Sequence, residues 1–383
     1  MPDPATTTTP VFFFGPLRDP ALRRIVLGAE FPVATAHLNG RTAFTGAQDA
    51  GPILALGPGV VEGVLVELPP VAHVRATYYA EISGSAPQPV SVEVDDKGAR
   101  AAELWHKPAS ADHTGIRWDL AAWQAAHGAL ARAAAHDVMG LIDIQPAPET
   151  IRRLPTIHAR AQARVNAEAA PAPATLRYPA DESAVTVLAK RRPYANFFSV
   201  EEYDLNHSLF DGGRSQDLTR AVFISADAVT VLPYDPSRDC ILLIEQFRPG
   251  PLARGDRNPW SLEAIAGRID GGETPEATAL REAQEEAGIT LSRLIRLAGY
   301  YPSPGAKAEF LHTYLGLADL PDSAAGLGGL ADENEDIRSH VLPVDTALGL
   351  ISTGEINNGP LILSLLELDR MRADLRAGRV PAA

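Results

Sequence analysis

The pattern of apolar and polar positions divides the chain into three zones. Residues 11–150 contain alternating segments such as VVEGVLVEL and PVSVEV, which are typical of strands with one buried face. The zone ends in a stretch from Asp119 to His136, and Asp119 is a candidate helix N-cap. The apolar residues of this stretch that recur near helical spacing are Leu120, Trp123, Leu130 and Ala134. The pattern predicts a strand-rich α+β domain.

The second zone, residues 151–183, is predicted to connect two domains. It starts with a basic helical piece, IHARAQARVNAEA, and continues into APAPATLRYPADES, whose prolines favour an extended and loosely packed chain. In the third zone, residues 184–383, the segment DAVTVLPYDPSRDCILLIEQF predicts a hairpin, and GPLILSLLELDRMRADLR predicts a closing helix. We therefore expect domains at 11–150 and 184–383, and a disordered start at 1–10.

Composition narrows the class of protein. Hydrophobic residues make up 45% and charged residues 21%, which is typical of a soluble globular protein. The 48 acidic residues against 34 Lys and Arg residues give a net charge of −14, which disfavours a nucleic-acid partner. No secretory signal and no run of about 18 apolar residues occurs, so no membrane span is expected. The single cysteine, Cys240, is expected to be a buried strand residue; it suits a reducing compartment, and the cytoplasm is the expected location.

The chemistry concentrates in GRIDGGETPEATALREAQEEAGI, residues 267–289. Thr274 as N-cap, Pro275 as first helical residue and Gly288 after the last turn predict a helix of about 13 residues, and Gly267 is expected to let the preceding loop turn tightly. An apolar stripe is expected on one side of the helix: Ala277, Leu280, Ala283 and Ala287. Three glutamates are expected on the opposite, solvent-facing side: Glu282, Glu285 and Glu286. Carboxylates crowded in this way repel one another unless hard cations neutralise them, so the segment predicts a Mg²⁺ site.

These residues resemble the Nudix box, G-x5-E-x7-R-E-aliphatic-x-E-E-x-G-aliphatic. The matching positions are Gly267, Glu273, Arg281, Glu282, Glu285, Glu286, Gly288 and Ile289, with the small residue Ala283 at the first aliphatic position. The resemblance implies a Nudix sandwich fold, in which a mixed sheet lies between helices, and Mg²⁺ as cofactor, with Mn²⁺ as an alternative. It implies five metal ligands: the carbonyl of Ala266 and the carboxylates of Glu282, Glu285, Glu286 and Glu335. It also implies that Arg281 and Glu273 brace the loop against the helix.

The flanking segments resemble the ADP-ribose pyrophosphatase branch of that family, in the version associated with tellurite resistance. They are YANFFSVEEYDLNHSLFDGG, LPYDPSRDCILLIEQFR, Ser303-Pro304-Gly305 and LADENEDIRSHV. The resemblance implies five substrate-binding residues: Phe197 stacked on the adenine, Arg220 and Arg248 near the substrate, Pro304 as the mark of ADP-ribose preference, and Glu309. It implies that Glu333 is the catalytic base and acts with Glu282 and Glu286 in a hydrolysis that yields AMP and ribose 5-phosphate.

The sequence also leads to an expected homodimer and leaves two alternative functions to consider. Relatives in that branch are homodimers, so the resemblance implies a homodimer of the second domain in which Phe197 of one chain completes the adenine pocket of the other. A hydrolase of GDP-mannose or another nucleotide sugar would share the Ser-Pro-Gly element, but the FF and LADENEDI segments count against it. A non-catalytic nucleotide-sensing module would carry a degenerate box and a basic helix pair, whereas this box is complete and the chain is acidic.

The first domain carries a second resemblance. VFFFGPLRDPALRRIVLG and VVEGVLVEL resemble the γ-glutamylcyclotransferase-like family, which implies a small strand-rich α+β barrel. That family carries Tyr-Gly-Thr/Ser-Leu in its first loop, whereas this chain has Phe14-Gly15-Pro16-Leu17. The nearest match to the family's aromatic–Glu pair is Tyr78-Tyr79-Ala80-Glu81, with the acid one place late, which on a strand would turn it to the other face. We therefore expect a regulatory or dimer-supporting module without cyclotransferase activity.

Overall fold

The computed structural model describes residues 8–47, 50–95, 97–107, 112–329 and 335–379. The chain forms two compact units, Met1–Ala169 and Ala170–Ala383. Of the start that was expected to be disordered, residues 1–7 lie outside the described residues, whereas Thr9 and Pro10 belong to the first strand. Within the described ranges, no helix is both long enough and apolar enough to cross a membrane.

The first unit is built on a closed barrel of five strands. The described part of the unit has six strands, of which the first five form the barrel: β1 (Thr9–Phe13), β2 (Val33–Gly46), β3 (Pro52–Leu68), β4 (Ala86–Val94), β5 (Gly98–His106) and β6 (His113–Arg117). The strands pair in the order β3-β1-β5-β4-β2, and β2 returns to β3, which closes the ring; β6 adds to β2 outside it. The β1–β5 pair is parallel and the other pairs are antiparallel. The barrel core consists of alternate strand residues, among them Phe12, Leu38, Leu65, Val92 and Leu104.

Helices pack beside this barrel. They are α1 (Pro20–Leu27), α2 (Pro70–Ile82), α3 (Leu120–Trp123), α4 (Ala129–Met139), α5 (Ala147–Arg152) and α6 (Leu154–Ala169). The Asp119 side chain caps α3 as expected, accepting a hydrogen bond from the amide of Ala122. The helical piece that the sequence assigned to the connector is α6, and the structure groups it with the first unit. Arg164 of α6 donates to the buried Asp137 of α4 at 2.8 Å, and Ile157 is fully buried.

The segment from Tyr78 to Glu81 differs from its interpretation as a strand. It lies in α2, where successive side chains are turned by about 100° rather than 180°. Glu81 is exposed there. The alternation argument used for this segment therefore does not apply, although the carboxylate still points to solvent.

The second unit centres on a mixed sheet of eight strands: β10 (Ala228–Asp235), β11 (Cys240–Phe247), β12 (Trp260–Glu263), β13 (Ile265–Arg268), β14 (Arg293–Tyr300), β16 (Leu311–Leu317), β17 (Gly326–Gly328) and β18 (Ile337–Pro343). The main path is β14-β16-β10-β11-β18-β17, with β12 on β11 and β13 on β10. The predicted hairpin is β10–β11, and the β10–β16 pair is parallel. Cys240 is 5% exposed, as expected.

Helices cover both faces of this sheet, which gives the predicted sandwich. The helices are α7 (Pro249–Arg254), α8 (Pro275–Ala287), α9 (Val344–Thr353) and α10 (Gly359–Arg376). Val229 and Val231 of β10 pack with α8, whereas Leu232 and Tyr234 pack with α10. Because the strand is buried on both faces, it reads in the sequence as a continuous apolar run. The closing helix α10 was predicted correctly.

A smaller sheet precedes and flanks the sandwich. It contains β7 (Val185–Ala195), β8 (Ser199–His207), β9 (Leu218–Ile224) and the short β15 (Lys307–Ala308), in the order β15-β9-β8-β7. The β15 strand pairs in parallel with β9 and links the small sheet to the segment that carries Ser303-Pro304-Gly305. Strand β7 is therefore an edge strand.

Candidate active site

Helix α8 carries the box, and its ends are those predicted. The Thr274 side chain accepts a hydrogen bond from the amide of Ala277, Pro275 occupies the first turn, and Gly288 follows the last turn with φ of +62°. A residue with a Cβ is strained at this φ, and glycine is not. Local signals were therefore sufficient to place this helix.

The buried face of α8 differs from the expected one. Its buried residues are Thr278, Ala279, Ala283 and Glu286. Ala277 and Leu280 of the predicted apolar stripe are exposed. The prediction of a solvent-facing Glu286 was wrong, since this side chain is 2% exposed. The helix side that packs towards the sheet includes a carboxylate, and hydrophobic periodicity assigns any carboxylate to water.

Glu282 and Glu286 approach strand β13 closely. A Cβ at Gly267 would lie 1.9 Å from Oε1 of Glu282 and 2.0 Å from its Cδ. The amide of Ala266, the preceding residue, donates to Oε2 of Glu286 at 3.0 Å. Gly267 lies within the strand rather than in a tight turn, which corrects the sequence interpretation. Its lack of a side chain makes room for the Glu282 carboxylate.

The carboxyl group of Glu286 is buried, and that of Glu282, which accepts a hydrogen bond from Arg281, is partly buried. Burial raises the pKa of Glu286 to about 8 and that of Glu282 to about 7, and the charge of Glu335 adds to both shifts. By contrast, the hydrogen bond from Arg281 holds the pKa of Glu273 below its usual range. Neighbouring acids with raised pKa values are a frequent mark of a functional site, because their burial is costly unless a proton or cation neutralises them.

Arg281 ties the loop to the helix. Its Nε and Nη2 donate to the two carboxylate oxygens of Glu273 at 3.0 Å each, which agrees with the bracing role expected of this pair. Its Nη1 donates to Glu282 at 2.7 Å and to Glu285 at 2.8 Å. One guanidinium therefore also neutralises two of the predicted metal ligands.

The donor set of this site fits a hard divalent cation. Glu282, Glu285 and Glu286 present carboxylates from one helix, and Glu335 lies within electrostatic range of Glu282 and Glu286. In the described ranges, no three acidic, histidine or cysteine side chains are grouped as they are around an ion. Glu282 and Glu285 point to the guanidinium of Arg281 rather than to a common centre with Glu286. The observation that favours a cation here is the position of Glu282 and Glu286 against β13, where burial raises the pKa of both carboxyl groups.

Arg248 adds a positive charge beside the cluster. It pairs with Glu263 of β12 through two hydrogen bonds, Nε to Oε1 at 2.9 Å and Nη2 to Oε2 at 2.7 Å. Its charge also acts on Glu286, and Glu335 acts on Arg248 in turn. Glu335 is therefore associated with the cluster, whereas Glu333, the predicted base, lies outside the described residues.

Strand β17 brings the neighbouring loop to the box helix. A Cβ at Gly328 would lie 2.2 Å from the carbonyl oxygen of Glu286, and one at Gly329 would lie 2.9 Å from the Cβ of Glu335. These contacts place Gly328 at the end of α8, with Glu335 beside Gly329. Gly329 and Glu335, the described residues on either side of residues 330–334, thus lie next to each other.

Phe197 is linked to the box by a residue that the sequence analysis did not select. The guanidinium of Arg268 lies 4.2 Å from the centroid of the Phe197 ring, in a cation–π contact. Phe198 packs against Phe197 edge to face at 4.7 Å and contacts Phe223 of β9 at 4.7 Å. Because Arg268 directly follows Gly267, the half-exposed Phe197 ring lies beside the strand that contacts Glu282.

The other predicted substrate residues lie around β9 and β15. Arg220 is exposed on β9 and donates to the carbonyl of Thr219 at 2.8 Å. Pro304 is exposed before β15, and Glu309 pairs with Lys307 at 2.8 Å. Within the described part of one chain, no hydrogen bond or ion pair joins Arg220, Pro304 or Glu309 to the carboxylate cluster. The contacts described here therefore join Phe197 and Arg248 to the box segment and its carboxylates, and they do not join these three residues to the carboxylates.

Arg268 and Glu263 are the functional-site residues that sequence reasoning missed. Arg268 stands inside the box segment, next to its first glycine. Glu263 interrupts the apolar run SLEAIAG, where a charged residue is unexpected unless it is paired. Both residues stand at unusual positions in the sequence, and these positions could have been used to select them.

Comparisons with known proteins show which family and which proteins this chain is similar to. A family model described as the NUDIX domain matches residues 225–364. The ADP-ribose pyrophosphatase of Haemophilus influenzae is 38% identical over 194 residues, which cover 50% of this chain and 89% of that protein. The ADP-ribose pyrophosphatase of Escherichia coli (strain K12) is 39% identical over 181 residues, which cover 47% of this chain and 86% of that protein.

Two further proteins are more distantly similar. The GDP-mannose pyrophosphatase of Citrobacter koseri is 32% identical over 183 residues, which cover 47% of this chain and 93% of that protein. A crystal structure of an ADP compounds hydrolase is similar with a TM-score of 0.40 and 22% sequence identity, over 51% of this chain and 97% of that chain.

Proposed function

The chain belongs to the Nudix hydrolase family, and from this premise we propose that its second unit hydrolyses the diphosphate of ADP-ribose to AMP and ribose 5-phosphate. The observation that carries the proposal is the position of two carboxyl groups against strand β13: the partly buried Glu282 lies against Gly267, and the buried Glu286 accepts a hydrogen bond from the amide of Ala266. The substrate follows from relatives that are 38–39% identical and are named ADP-ribose pyrophosphatases.

The residues of the cluster would hold divalent cations, with Mg²⁺ as the first candidate and Mn²⁺ as the second. The proposed ligands are the carboxylates of Glu282, Glu285, Glu286 and Glu335 and the carbonyl of Ala266. A bound cation would neutralise the diphosphate oxygens and lower the pKa of an attacking water. Arg281 donates to both Glu282 and Glu285, so these two carboxylates are oriented on one side of the helix.

Residues around the cluster would bind and orient the substrate. The half-exposed ring of Phe197, backed by Arg268, offers a flat surface on which an adenine can stack. The hydrogen bonds from Arg248 to Glu263 use Nε and Nη2, which leaves Nη1 for a phosphate oxygen. We propose Arg220, Pro304 and Glu309 as further substrate contacts, and Glu333 as the base that takes a proton from the attacking water.

The experiment that tests the proposal is a substrate panel. Full-length protein is incubated with ADP-ribose, GDP-mannose or NADH in the presence of Mg²⁺, and phosphate is measured after phosphatase treatment of the products. We expect the highest kcat/KM for ADP-ribose and no turnover after chelation of divalent cations. A higher value for GDP-mannose would support the second candidate, which the 32% identical relative motivates. Cation-dependent ADP-ribose binding without turnover of any substrate would support a sensing module.

Homodimerisation through the second unit is also part of the proposal. The edge strand β7 exposes large apolar side chains to about half of their surface: Val185, Val187, Leu188 and Tyr194. An exposed apolar edge strand is an aggregation hazard unless another chain covers it. A second copy of the chain would cover this strand under two-fold symmetry and bring its own Phe197 and Arg220 to the neighbouring site.

A mixing experiment tests whether the site is shared. A chain with Phe197→Ala and Arg220→Ala is mixed with a chain carrying Glu286→Gln, each inactive alone. If Phe197 acts on the neighbouring chain, activity should return to about a quarter of the wild-type value, since half of the dimers are hybrids with one intact site. If Phe197 serves its own chain, as its contact with Arg268 also permits, no hybrid has an intact site and the mixture stays inactive.

The second unit should work without the first. We expect a fragment of residues 170–383 to unfold cooperatively and to hydrolyse ADP-ribose with the kcat/KM of the full chain, because the unit has its own core on both faces of its sheet. The sequence analysis placed the start of the second domain at residue 184, but Asp181 caps the turn at Glu182–Ala184 and should be kept. A soluble fragment without activity would mean that the first unit contributes to the site.

We propose that the first unit is a γ-glutamylcyclotransferase-like barrel without that family's activity. Its support is the closed five-strand ring and the Phe14-Gly15-Pro16-Leu17 loop that follows β1. The acid of the nearest local match, Glu81, is exposed on α2. We propose that this unit has a regulatory or dimer-supporting role instead of a catalytic one.

A further inference from the structure

The first unit contains a cavity of about 450 Å³. Its walls come mainly from the ends of β1 and β5, the loop that follows β1, and the sides of α2, α4 and α6, so the described lining residues all belong to this unit. Pockets that bind small molecules range from about 300 to 1,000 Å³. An apolar cavity of roughly 150 Å³ is enough to hold benzene, so this one has room for a body of two fused rings.

Apolar and aromatic side chains make up most of the wall. Leu17, Leu130 and Leu154 line the cavity and keep part of their surface accessible. Phe13 and Trp105 also line it, and their rings lie 6.1 Å apart at an interplanar angle of 22°. An apolar body that enters the cavity leaves water and covers this apolar surface, and flat rings pack well against another flat ring. The wall therefore favours an aromatic ligand.

An irregular helical turn forms part of the same wall. Helix α3 continues into α4 through the π-helical segment Gln124–Gly128. Trp123, directly before this segment, and His127 within it both line the cavity. The side chain of Gln124 donates to the buried Asp19 at 2.7 Å, which holds the turn in place. A π-helical turn is rare in proteins and occurs frequently at functional sites, so its position here is a second indication of a binding site.

Two polar side chains reach the cavity from different helices, Tyr79 from α2 and His158 from α6. Both keep accessible surface. The protein nevertheless surrounds them closely, because burial raises the pKa of Tyr79 to about 12 and lowers the pKa of His158. Accessible surface on groups so far from bulk water faces the cavity. Both side chains are therefore neutral at neutral pH, and the Tyr79 hydroxyl keeps its proton.

The Tyr79 hydroxyl makes no hydrogen bond to any residue that the structure describes. The hydroxyl of the preceding residue, Tyr78, differs in this respect, since it donates to the carbonyl of Gln145 at 3.2 Å. A hydroxyl inside the protein without a partner costs free energy, and a ligand atom that accepts its hydrogen bond removes that cost. The cavity thus offers a position for one acceptor atom beside apolar walls.

From the size of the cavity, its apolar walls, the π-helical turn and the position of the Tyr79 hydroxyl, we propose that the first unit binds a neutral bicyclic aromatic molecule with one hydrogen-bond acceptor. The rings lie among the apolar side chains, and the acceptor atom meets the Tyr79 hydroxyl. An ion would lose its hydration on entering such a cavity, which is costly. This class differs from a γ-glutamyl compound, whose ammonium group requires an acidic partner, and no described lining residue is acidic.

The test compares three bicyclic probes: quinoline, which is neutral and has an acceptor nitrogen, naphthalene, which has no acceptor, and 2-naphthoate, which is charged. Each is titrated into full-length protein by isothermal titration calorimetry at about pH 8. We expect quinoline to bind at least about tenfold more tightly than 2-naphthoate. Equal or tighter binding of 2-naphthoate, or no binding of quinoline at millimolar concentration, overturns the proposal.

A Tyr79→Phe variant tests the acceptor position. It removes the hydroxyl and keeps the ring, so the affinity for quinoline should fall about fivefold, the factor of one neutral hydrogen bond, whereas the affinity for naphthalene should stay the same. The comparison of the two probes separates the lost hydrogen bond from a change in the shape of the cavity. An unchanged affinity for quinoline, or equal losses for both probes, overturns the assignment of Tyr79.

A cavity-filling variant locates the binding. Ala131 of α4 lines the cavity, whereas Ala129 of the same helix is exposed and does not. Ala131→Phe should weaken quinoline binding at least about tenfold while the matched Ala129→Phe leaves it unchanged. Equal binding by both variants places the ligand elsewhere and overturns the proposal. If Ala131→Phe does not unfold cooperatively, the comparison of quinoline and naphthalene in wild type and Tyr79→Phe still decides.

Discussion

Glu286→Gln is expected to lower kcat/KM for ADP-ribose at least about 100-fold, a loss of roughly 2.7 kcal/mol of transition-state stabilisation. The side chain is one of the proposed cation ligands, and a metal ion that stabilises developing charge contributes several kcal/mol. An amide oxygen is a weaker ligand than a carboxylate for a hard cation. Steady-state kinetics over a range of Mg²⁺ concentrations measure the effect.

The same substitution should not lower the thermal unfolding midpoint in the absence of divalent cations. Glutamine can still accept the hydrogen bond from the amide of Ala266, and it removes a carboxylate that is 2% exposed. Burial of an uncompensated carboxylate costs free energy, as the pKa of about 8 indicates. Calorimetry of both proteins checks this. A midpoint lowered by many degrees would mean that Glu286 has a structural role and that the kinetic loss reflects unfolding.

Glu276→Gln is the matched control, since it makes the same change in the first turn of the same helix. Glu276 accepts a hydrogen bond from the Tyr314 hydroxyl at 2.8 Å, which glutamine can also accept. Its turnover should stay close to that of wild type. Comparable losses in both variants would show that negative charge on α8 matters in general, and the ligand assignment of Glu286 would have to be withdrawn.

Gly267→Ala is expected to reduce turnover by a similar factor through Glu282. The new Cβ would lie 1.9 Å from Oε1 of Glu282, a distance at which the carboxylate must move. Since Glu282 is a proposed ligand, its displacement should remove about as much activity as Glu282→Gln, on the order of 100-fold. Kinetics of the two single variants and of the double variant measure this effect.

The double variant makes this prediction specific. If Gly267→Ala acts only by moving Glu282, then adding it to Glu282→Gln should cost little more, and the two losses are strongly non-additive. Gly349→Ala serves as control, because a Cβ at this helical position meets nothing within 4 Å. Fully additive losses would mean that Gly267 affects the site in some other way, for example through the pairing of β13 with β10.

Several features could be predicted from the sequence because they depend on residues that are close together in the chain. The limits of α8 depend on Thr274, Pro275 and Gly288, each of which acts on its own turn of helix. The hairpin β10–β11 depends on two apolar runs around one turn. These features arise from interactions between residues close in the chain, so no knowledge of the fold was needed.

Other features depended on contacts that the sequence does not encode locally. Leu280 was assigned to the buried face of α8 and Glu286 to water, yet the structure has the reverse. Arg268 was overlooked because its partner Phe197 is 71 positions away in the chain. Helix α6 was assigned to the connector because the proline-rich segment follows it in the chain, yet its residues Arg160 and Arg164 pair with the buried Asp137 of α4.

The sequence by itself determined that a helix carrying three glutamates follows a glycine-rich loop, and that this helix belongs to a second domain with cation-dependent chemistry. Only the tertiary structure decided why the first box glycine is a glycine and which carboxylates are buried. It also decided that the first unit encloses a cavity of about 450 Å³. The reason is physical: capping and periodicity act within a few residues, whereas burial, close approach and pKa depend on which distant segments the fold brings together.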